Sequence, residues 1–204
     1  MPADIDLTLP EFDNPPAEPI GLLRAWFDTA VKHGVREPGV VSLATADATG
    51  RTSNRIIQTI RITGRGLVFS SHTGSRKGRD IAATGWGSGV LYWRETAQQI
   101  VLSGPVAPLP EEESGALWAA RPPSTHAMSV ASRQSEPLED EEALRAEAVR
   151  LAGSGEALPR PAAWVGYELV PETVEFWHAS PDRLHRRLVY GAAGGGWTCR
   201  RLQP

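Results

Sequence analysis

The chain carries one cysteine, Cys199, in 204 residues. A single thiol builds no internal disulfide framework and no multi-cysteine zinc site, which predicts a protein of the reducing cytoplasm. No uninterrupted apolar run approaches the ~20 residues that a membrane-spanning helix needs, so no membrane role is expected. Charge of neither sign dominates: 21 Lys and Arg stand against 24 Asp and Glu, a net charge of −3. Nothing therefore marks a nucleic-acid or membrane-surface binder. The first residues lack a basic segment followed by an apolar core, so no secretory signal is predicted.

The short motifs of several common chemistries are missing as well. No Gly-x-Gly-x-x-Gly opens a helix after a strand, and no Walker loop, His-Glu-x-x-His or Gly-x-Ser-x-Gly occurs. The five histidines (His33, His72, His126, His178 and His185) show no ligand spacing, and no metal site is expected. An enzyme with this inventory would draw its chemistry from an organic cofactor.

What is present reads as one domain. Residues 1–19 are acidic and proline-rich without apolar periodicity, which predicts a flexible N-terminal arm before a single domain over 20–204. Leu22, Leu23, Trp26, Phe27, Ala30 and Val31 recur at helical spacing up to the stop at Gly34. Strands are predicted at 40–46, 55–62, 67–71, 90–93, 99–106, 165–170 and 173–178, with a final hairpin pairing 187–190 with 197–202. Helices are predicted from near Ser75, from Pro110 to about Arg121, and over 139–152, with a Ser/Thr/Pro-rich loop up to Gln134-Ser135. This order gives an antiparallel α+β domain, not a βαβ alternation.

Four polar groupings stand out. Ser75-Arg76-Lys77-Gly78 follows a strand and opens a helix, where free N–H groups, two cations and a hydroxyl would cradle an anion; alone it could equally be a solvated basic turn. Arg55 lies within a β-branched strand, where a charge needs a partner or an edge facing water. Gln134-Ser135 and Gln98-Gln99 offer amides that both donate and accept, as the edge of a flavin pyrimidine ring would require, or that simply satisfy loop backbone. Glu175-Phe176-Trp177, followed by Arg183-Leu184-His185-Arg186-Arg187, sets an aromatic wall beside cations, although a strand tryptophan is by default core.

Taken in order, these runs resemble the pyridoxamine 5′-phosphate oxidase family from about Trp26 to the C-terminal Arg201-Leu202-Gln203-Pro204. The resemblance rests on Arg55-Ile56-Ile57, Ser75-Arg76-Lys77-Gly78, Tyr92-Trp93, Gln99, Arg121-Pro122, Gln134-Ser135, Glu175-Phe176-Trp177 and Arg183-Leu184-His185. It implies an antiparallel split β-barrel with peripheral helices, a homodimer, and FMN at the subunit interface. It places Arg55, Ile56, Ile57, Ser70, Ser71, Ser75, Arg76 and Lys77 on the phosphate and ribityl chain. Gln99, Gln134, Ser135, Trp177 and Arg187 are implied around the flavin. Arg121, Thr125, Arg183 and His185 are implied on the substrate, with Arg183 and His185 over the reactive ring.

Two family positions for the substrate phosphate are changed. Ile60 stands where the family has a lysine and Leu117 where it has a tyrosine, while Arg121 is kept and Thr125 replaces a serine. A charge-assisted hydrogen bond is worth roughly 1.5–3 kcal/mol, so two such losses would weaken phosphate binding by two or more orders of magnitude. Arg186, in place of an aspartate, would add positive charge near the site. Residues 34–38, 89–95, 125–129 and 131–136 resemble a subgroup of the family, the flavin oxidases of phenazine biosynthesis. That resemblance implies oxidation of partly reduced phenazine carboxylates with dioxygen as acceptor, on a flat aromatic carboxylate substrate. Oxidation of pyridoxine or pyridoxamine 5′-phosphate, or flavin binding without turnover, are the alternative readings.

Overall fold

The computed structural model describes residues 5, 7–153 and 155–204. Along the chain these form α1 (Pro19–Lys32), β1 (Val40–Ala46), β2 (Thr52–Gln58), β3 (Arg61–Ile62), β4 (Leu67–His72), α2 (Arg76–Thr84), β5 (Trp86–Trp93) and β6 (Gln98–Pro108). Then come α3 (Glu111–Ala119), α4 (His126–Ala131), α5 (Glu141–Ala152), β7 (Trp164–Leu169), β8 (Thr173–His178), β9 (Arg186–Ala193) and β10 (Gly196–Leu202).

The strand β6 organises the sheet. Its first half pairs with β5 on one side and β8 on the other. After Ser103 it leaves β8, and from Val106 it pairs instead with β7. A Cβ at Gly104 would lie 2.3 Å from the Val170 carbonyl oxygen, so the close crossing requires glycine. The result is one curled antiparallel sheet, ordered β10-β9-β8-β6-β5-β1-β2, with β7, β4 and β3 folding back from β6. This is the split half-barrel of the α+β class. Alternation along β1 and β6 turns Leu43, Ile100 and Leu102 inward, where they meet Leu91, Phe69, Phe176 and Tyr190. Helix α1 closes one end of this core with Leu22, Leu23, Trp26 and Ala30. No helix among the described residues is long and apolar enough to cross a membrane.

Four local expectations are corrected. The strand foreseen over 55–62 begins earlier and breaks after Gln58, leaving the short β3. The Ser/Thr/Pro-rich loop contains a 3-10 turn (Pro123–Thr125) and α4. Trp177 is half-buried, because it occupies the outer alternation of β8 while Val174 and Phe176 fill the core. The arm expected to be flexible is anchored at Leu9, Glu11 and Phe12, which are buried, its residues 1–4 and 6 lying outside the described residues.

The arm holds because Phe12 is buried and Arg186 and Arg201 clamp it, Arg201 donating to the Phe12 carbonyl at 3.1 Å. Phe12, only 2% exposed, packs against Trp26 at 6.1 Å between ring centroids. Trp26 Nε1 donates to the Glu11 carboxylate, and the Tyr190 hydroxyl donates to the Pro16 carbonyl at 3.0 Å. Arg186 lies over the Phe12 ring at 4.4 Å, donates to the Leu9 carbonyl at 3.2 Å and pairs with Asp13 at 3.5 Å. Arg186 is thereby spent on the arm, not on the site where sequence reasoning put its charge. Truncating a buried phenylalanine costs on the order of 3–5 kcal/mol, so Phe12→Ala should lose about 3 kcal/mol in a urea titration. A loss below about 1 kcal/mol would mean that the arm adds nothing to the core.

Candidate functional site

The β4–α2 junction builds an anion cradle. Ser75 caps α2, its hydroxyl accepting the Gly78 N–H at 3.1 Å. Gly78 is required there, since a Cβ would stand 2.4 Å from the Thr73 carbonyl oxygen and 2.5 Å from that of His72. This tight turn delivers Lys77 inward. Its ammonium donates to Gln134 Oε1 at 3.1 Å and approaches Ser75 Oγ at 3.4 Å. Ser71 joins them, 3.2 Å from Ser75 Oγ and donating to Gln134 at 3.1 Å. Ser135, held at a φ of 74°, accepts the Arg76 N–H at 3.1 Å. Gln134 and Ser135 thus sit on the cradle within the same protomer.

Asp80, one helical turn on, holds the cations in place. It accepts from Thr45 and Ser53 at 2.7 Å each, from Arg76 Nε at 3.0 Å, and lies 3.9 Å from Arg55. Burial pushes its carboxyl up, but those hydrogen bonds and the Arg76 charge outweigh it and hold it below the ordinary carboxylate range. Arg55 also donates to the Leu43 carbonyl at 3.0 Å and to Thr45 at 2.8 Å, so it is a partnered inward residue, not a solvated edge. Ile57 beside it packs on the core, whereas Ile56 faces outward at 65% exposure. Burial, then the Arg55 charge, push the Lys77 ammonium down. Arg55, Arg76 and Lys77 thus face two carboxylates, Asp80 and Asp47, leaving an excess of one positive charge.

A cleft of about 280 Å³ opens from the cradle, walled by Ser70, Ser71, Gln134, Arg121, Met128 and Ser129. Arg121 donates to Ser129 Oγ and to the Thr125 carbonyl, both at 3.3 Å. The Thr125 hydroxyl turns to the Pro122 carbonyl at 2.8 Å. His72, which sequence reasoning passed over, also lines this cleft. Burial first, then Lys77 and Arg121, push its imidazole down and hold it neutral. Leu117 turns away from the cleft's charge and packs on Gly166, and Ile60 is half-exposed.

The remaining candidates form a second group. Register places Tyr92, Gln99, Trp177 and Arg187 side by side across β5, β6, β8 and β9, on the outer sheet face. Arg187 makes a two-pronged ion pair with Glu175, at 2.6 and 2.9 Å. His185 packs on Trp177 at 4.9 Å between centroids. Its Nδ1 accepts the Ser180 N–H at 3.1 Å, which assigns the ring proton to Nε2. Arg183 is exposed in a left-handed conformation (φ 70°), fixed by a turn in which Asp182 accepts from Ser180 and the Leu184 N–H. No hydrogen bond or ion pair among the described residues joins this row to the cradle. Within one chain the two groups are separate.

A half-barrel with a helix-start anion cradle and an amide–aromatic row on its open face defines a flavin-binding class of oxidoreductase. The chain belongs to the pyridoxamine 5′-phosphate oxidase family, whose model matches residues 27–155; a second model, the pyridoxine 5′-phosphate oxidase C-terminal dimerisation region, matches 164–204. A dihydrophenazinedicarboxylate synthase of Burkholderia lata is 52% identical over 100% of this chain and 96% of its own. A pyridoxine/pyridoxamine 5′-phosphate oxidase of Paraburkholderia phymatum is 41% identical over 91% of this chain and 89% of its own. The crystal structure of PhzG from Burkholderia lata in complex with tetrahydrophenazine-1-carboxylic acid superposes with a TM-score of 0.97, covering 99% of this chain and 100% of that one, at 52% identity.

Gly78→Ala forces the β4–α2 turn apart. We expect it to abolish flavin retention through purification while the far-ultraviolet circular dichroism stays native. Normal flavin content would show that the turn is not what shapes the cradle.

Proposed function

We propose that the protein is an FMN-dependent oxidase of partly reduced phenazine carboxylates, acting as a homodimer with FMN between the subunits. The observation that carries this reading is the cleft itself. Arg121 shares a wall with the anion cradle, while Ile60 and Leu117 stand where the family resemblance puts the lysine and tyrosine of a phosphate site. One guanidinium suits a carboxylate; a phosphate dianion needs more. The 52% identity to a dihydrophenazinedicarboxylate synthase, against 41% to a pyridoxine/pyridoxamine 5′-phosphate oxidase, supports the same choice.

FMN fits the residues present. The cradle has uncompensated positive charge, a desolvated lysine and a capped helix start, which together suit a phosphate monoester. When bound, the flavin supplies two-electron oxidation of the substrate with dioxygen as the final acceptor. Arg55, Ser75, Arg76 and Lys77 hold the phosphate, with Ser70 and Ser71 beside the ribityl chain. Gln99, Trp177 and Arg187 wall the ring system from a second copy. A two-fold axis through the open sheet face unites each cradle with the other chain's row, so dimerisation completes both sites at once. Ile56, exposed on that face, is covered by the pairing.

Arg183 and Arg121 pair with the substrate carboxylate. His185 offers its Nε2–H as a donor, and its Nδ1 lone pair is already engaged by Ser180. That geometry favours a role for His185 in positioning the substrate.

Two measurements test this. The charged form of Lys77 binds the phosphate, and its proton leaves below the ordinary lysine value of about 10.4. FMN affinity should therefore fall as pH rises through that lowered range, while riboflavin affinity stays flat. Lys77→Met should remove the alkaline limb, and an unchanged limb would assign it elsewhere. Restoring the family pair with Ile60→Lys and Leu117→Tyr should raise kcat/KM on pyridoxine 5′-phosphate by at least about tenfold, some 1.4 kcal/mol. No gain would mean that those two positions do not decide the substrate.

A further inference from the structure

We propose that His126, acting through Trp118, is a positioning residue for Arg121 and thereby sets affinity for the substrate carboxylate. The proposal rests on the carboxylate-binding role of Arg121 given above.

Arg121 has no carboxylate within ion-pair distance among the described residues, and its two hydrogen bonds are long, both at 3.3 Å. Aromatic faces hold it instead. Its guanidinium carbon lies 5.1 Å from the Trp118 ring and 5.2 Å from the Trp164 ring, and these two rings meet edge to face at 5.1 Å. A guanidinium kept in place by ring faces leaves N–H groups free for an incoming anion. Its position is then only as good as that of the rings beneath it.

Trp118 is fixed by His126. The imidazole is wholly buried (0% exposed) and stacks on the indole at 4.1 Å with a 22° interplanar angle. His126 Nδ1 accepts the Leu158 N–H at 3.2 Å, and Nε2 lies 3.3 Å from the Trp118 carbonyl oxygen. Nδ1 accepts and Nε2 faces a carbonyl oxygen, which places a ring proton on Nε2. Trp118 Nε1 in turn donates to the Leu158 carbonyl at 2.7 Å. Indole and imidazole therefore grip the N–H and C=O of one residue. They tie the end of α3, the start of α4 and the segment after α5 into one platform under Arg121. An apolar residue at 126 could fill the volume, but it would leave the Leu158 N–H and the Trp118 carbonyl unpaired and the indole free to tilt.

The test is a double-mutant cycle on the FMN-loaded protein. Binding of phenazine-1-carboxylate is titrated calorimetrically, and kcat and KM are measured in parallel with an enzymatically reduced phenazine carboxylate. His126→Ala should weaken carboxylate binding and raise KM about tenfold, with kcat and FMN affinity within about twofold. In an Arg121→Ala background the same substitution should have no further effect, and His126→Gln, which can still accept and donate, should recover part of the loss. If His126→Ala does not fold, Trp118→Phe, which keeps a ring but drops the tie to Leu158, carries the same comparison. Equal loss in both backgrounds, or FMN affinity falling together with carboxylate affinity, would overturn the positioning role. Should Arg121→Ala alone bind the carboxylate like the parent protein, Arg121 is not the carboxylate ligand, and both readings fall at that distinct point.

Discussion

Lys77 is a cation taken out of water beside another cation, Arg55, and the fold around it is arranged to make that tolerable. Gly78 lets α2 start hard against the end of β4, so that Lys77 points inward instead of into solvent. Asp80 balances Arg55 and Arg76 from the next turn of the same helix, and Thr45 and Ser53 hold Asp80 from β1 and β2. Two strands, one helix and the Gln134 loop therefore converge on one site of unfinished charge. Such a site suits an anion, and it is the physical basis for proposing a cofactor phosphate at this helix start.

The second constraint is geometric. Gly104 lets β6 serve two partners in succession, and this curls the sheet away from the cradle. The Gln99–Trp177–Arg187 row lies on the outer face of that sheet, while the cradle belongs to β4 and α2. A single copy holds the two groups apart, and the proposed two-fold dimer would bring each together with the other chain's counterpart. On that reading the apolar outer positions, Ile56 and Tyr92 among them, are interface residues, not exposed liabilities.

Much of this was legible in the sequence where local pattern decides. The strands at Val40–Ala46 and Thr173–His178 fall where β-branched alternation and flanking turns put them. Ser75 was legible as a helix start because capping is a local rule. Features that depend on distant partners were not. The proline-rich arm hides Phe12 and Leu9, whose value comes from Trp26 and Arg186 far along the chain. Helix α4 has only six residues and no capping hydroxyl bond, so nothing local announces it. Asp80, His72 and the Trp118–His126 stack were equally silent, since a buried carboxylate or a doubly bonded histidine looks like any other until its partners are brought in. Arg186 shows the reverse error: its charge was read by sequence neighbourhood, and the fold spends it on Asp13 and the Leu9 carbonyl.

Under the proposed function, this cleft takes a flat aromatic carboxylate in preference to a vitamin phosphate. Anaerobic stopped-flow absorbance at the oxidised flavin band decides it, mixing FMN-loaded protein separately with an enzymatically generated reduced phenazine carboxylate and with pyridoxine 5′-phosphate. Rapid bleaching by the phenazine precursor, with slow or no bleaching by the phosphate, is the expected result. Rapid bleaching by pyridoxine 5′-phosphate alone would contradict it.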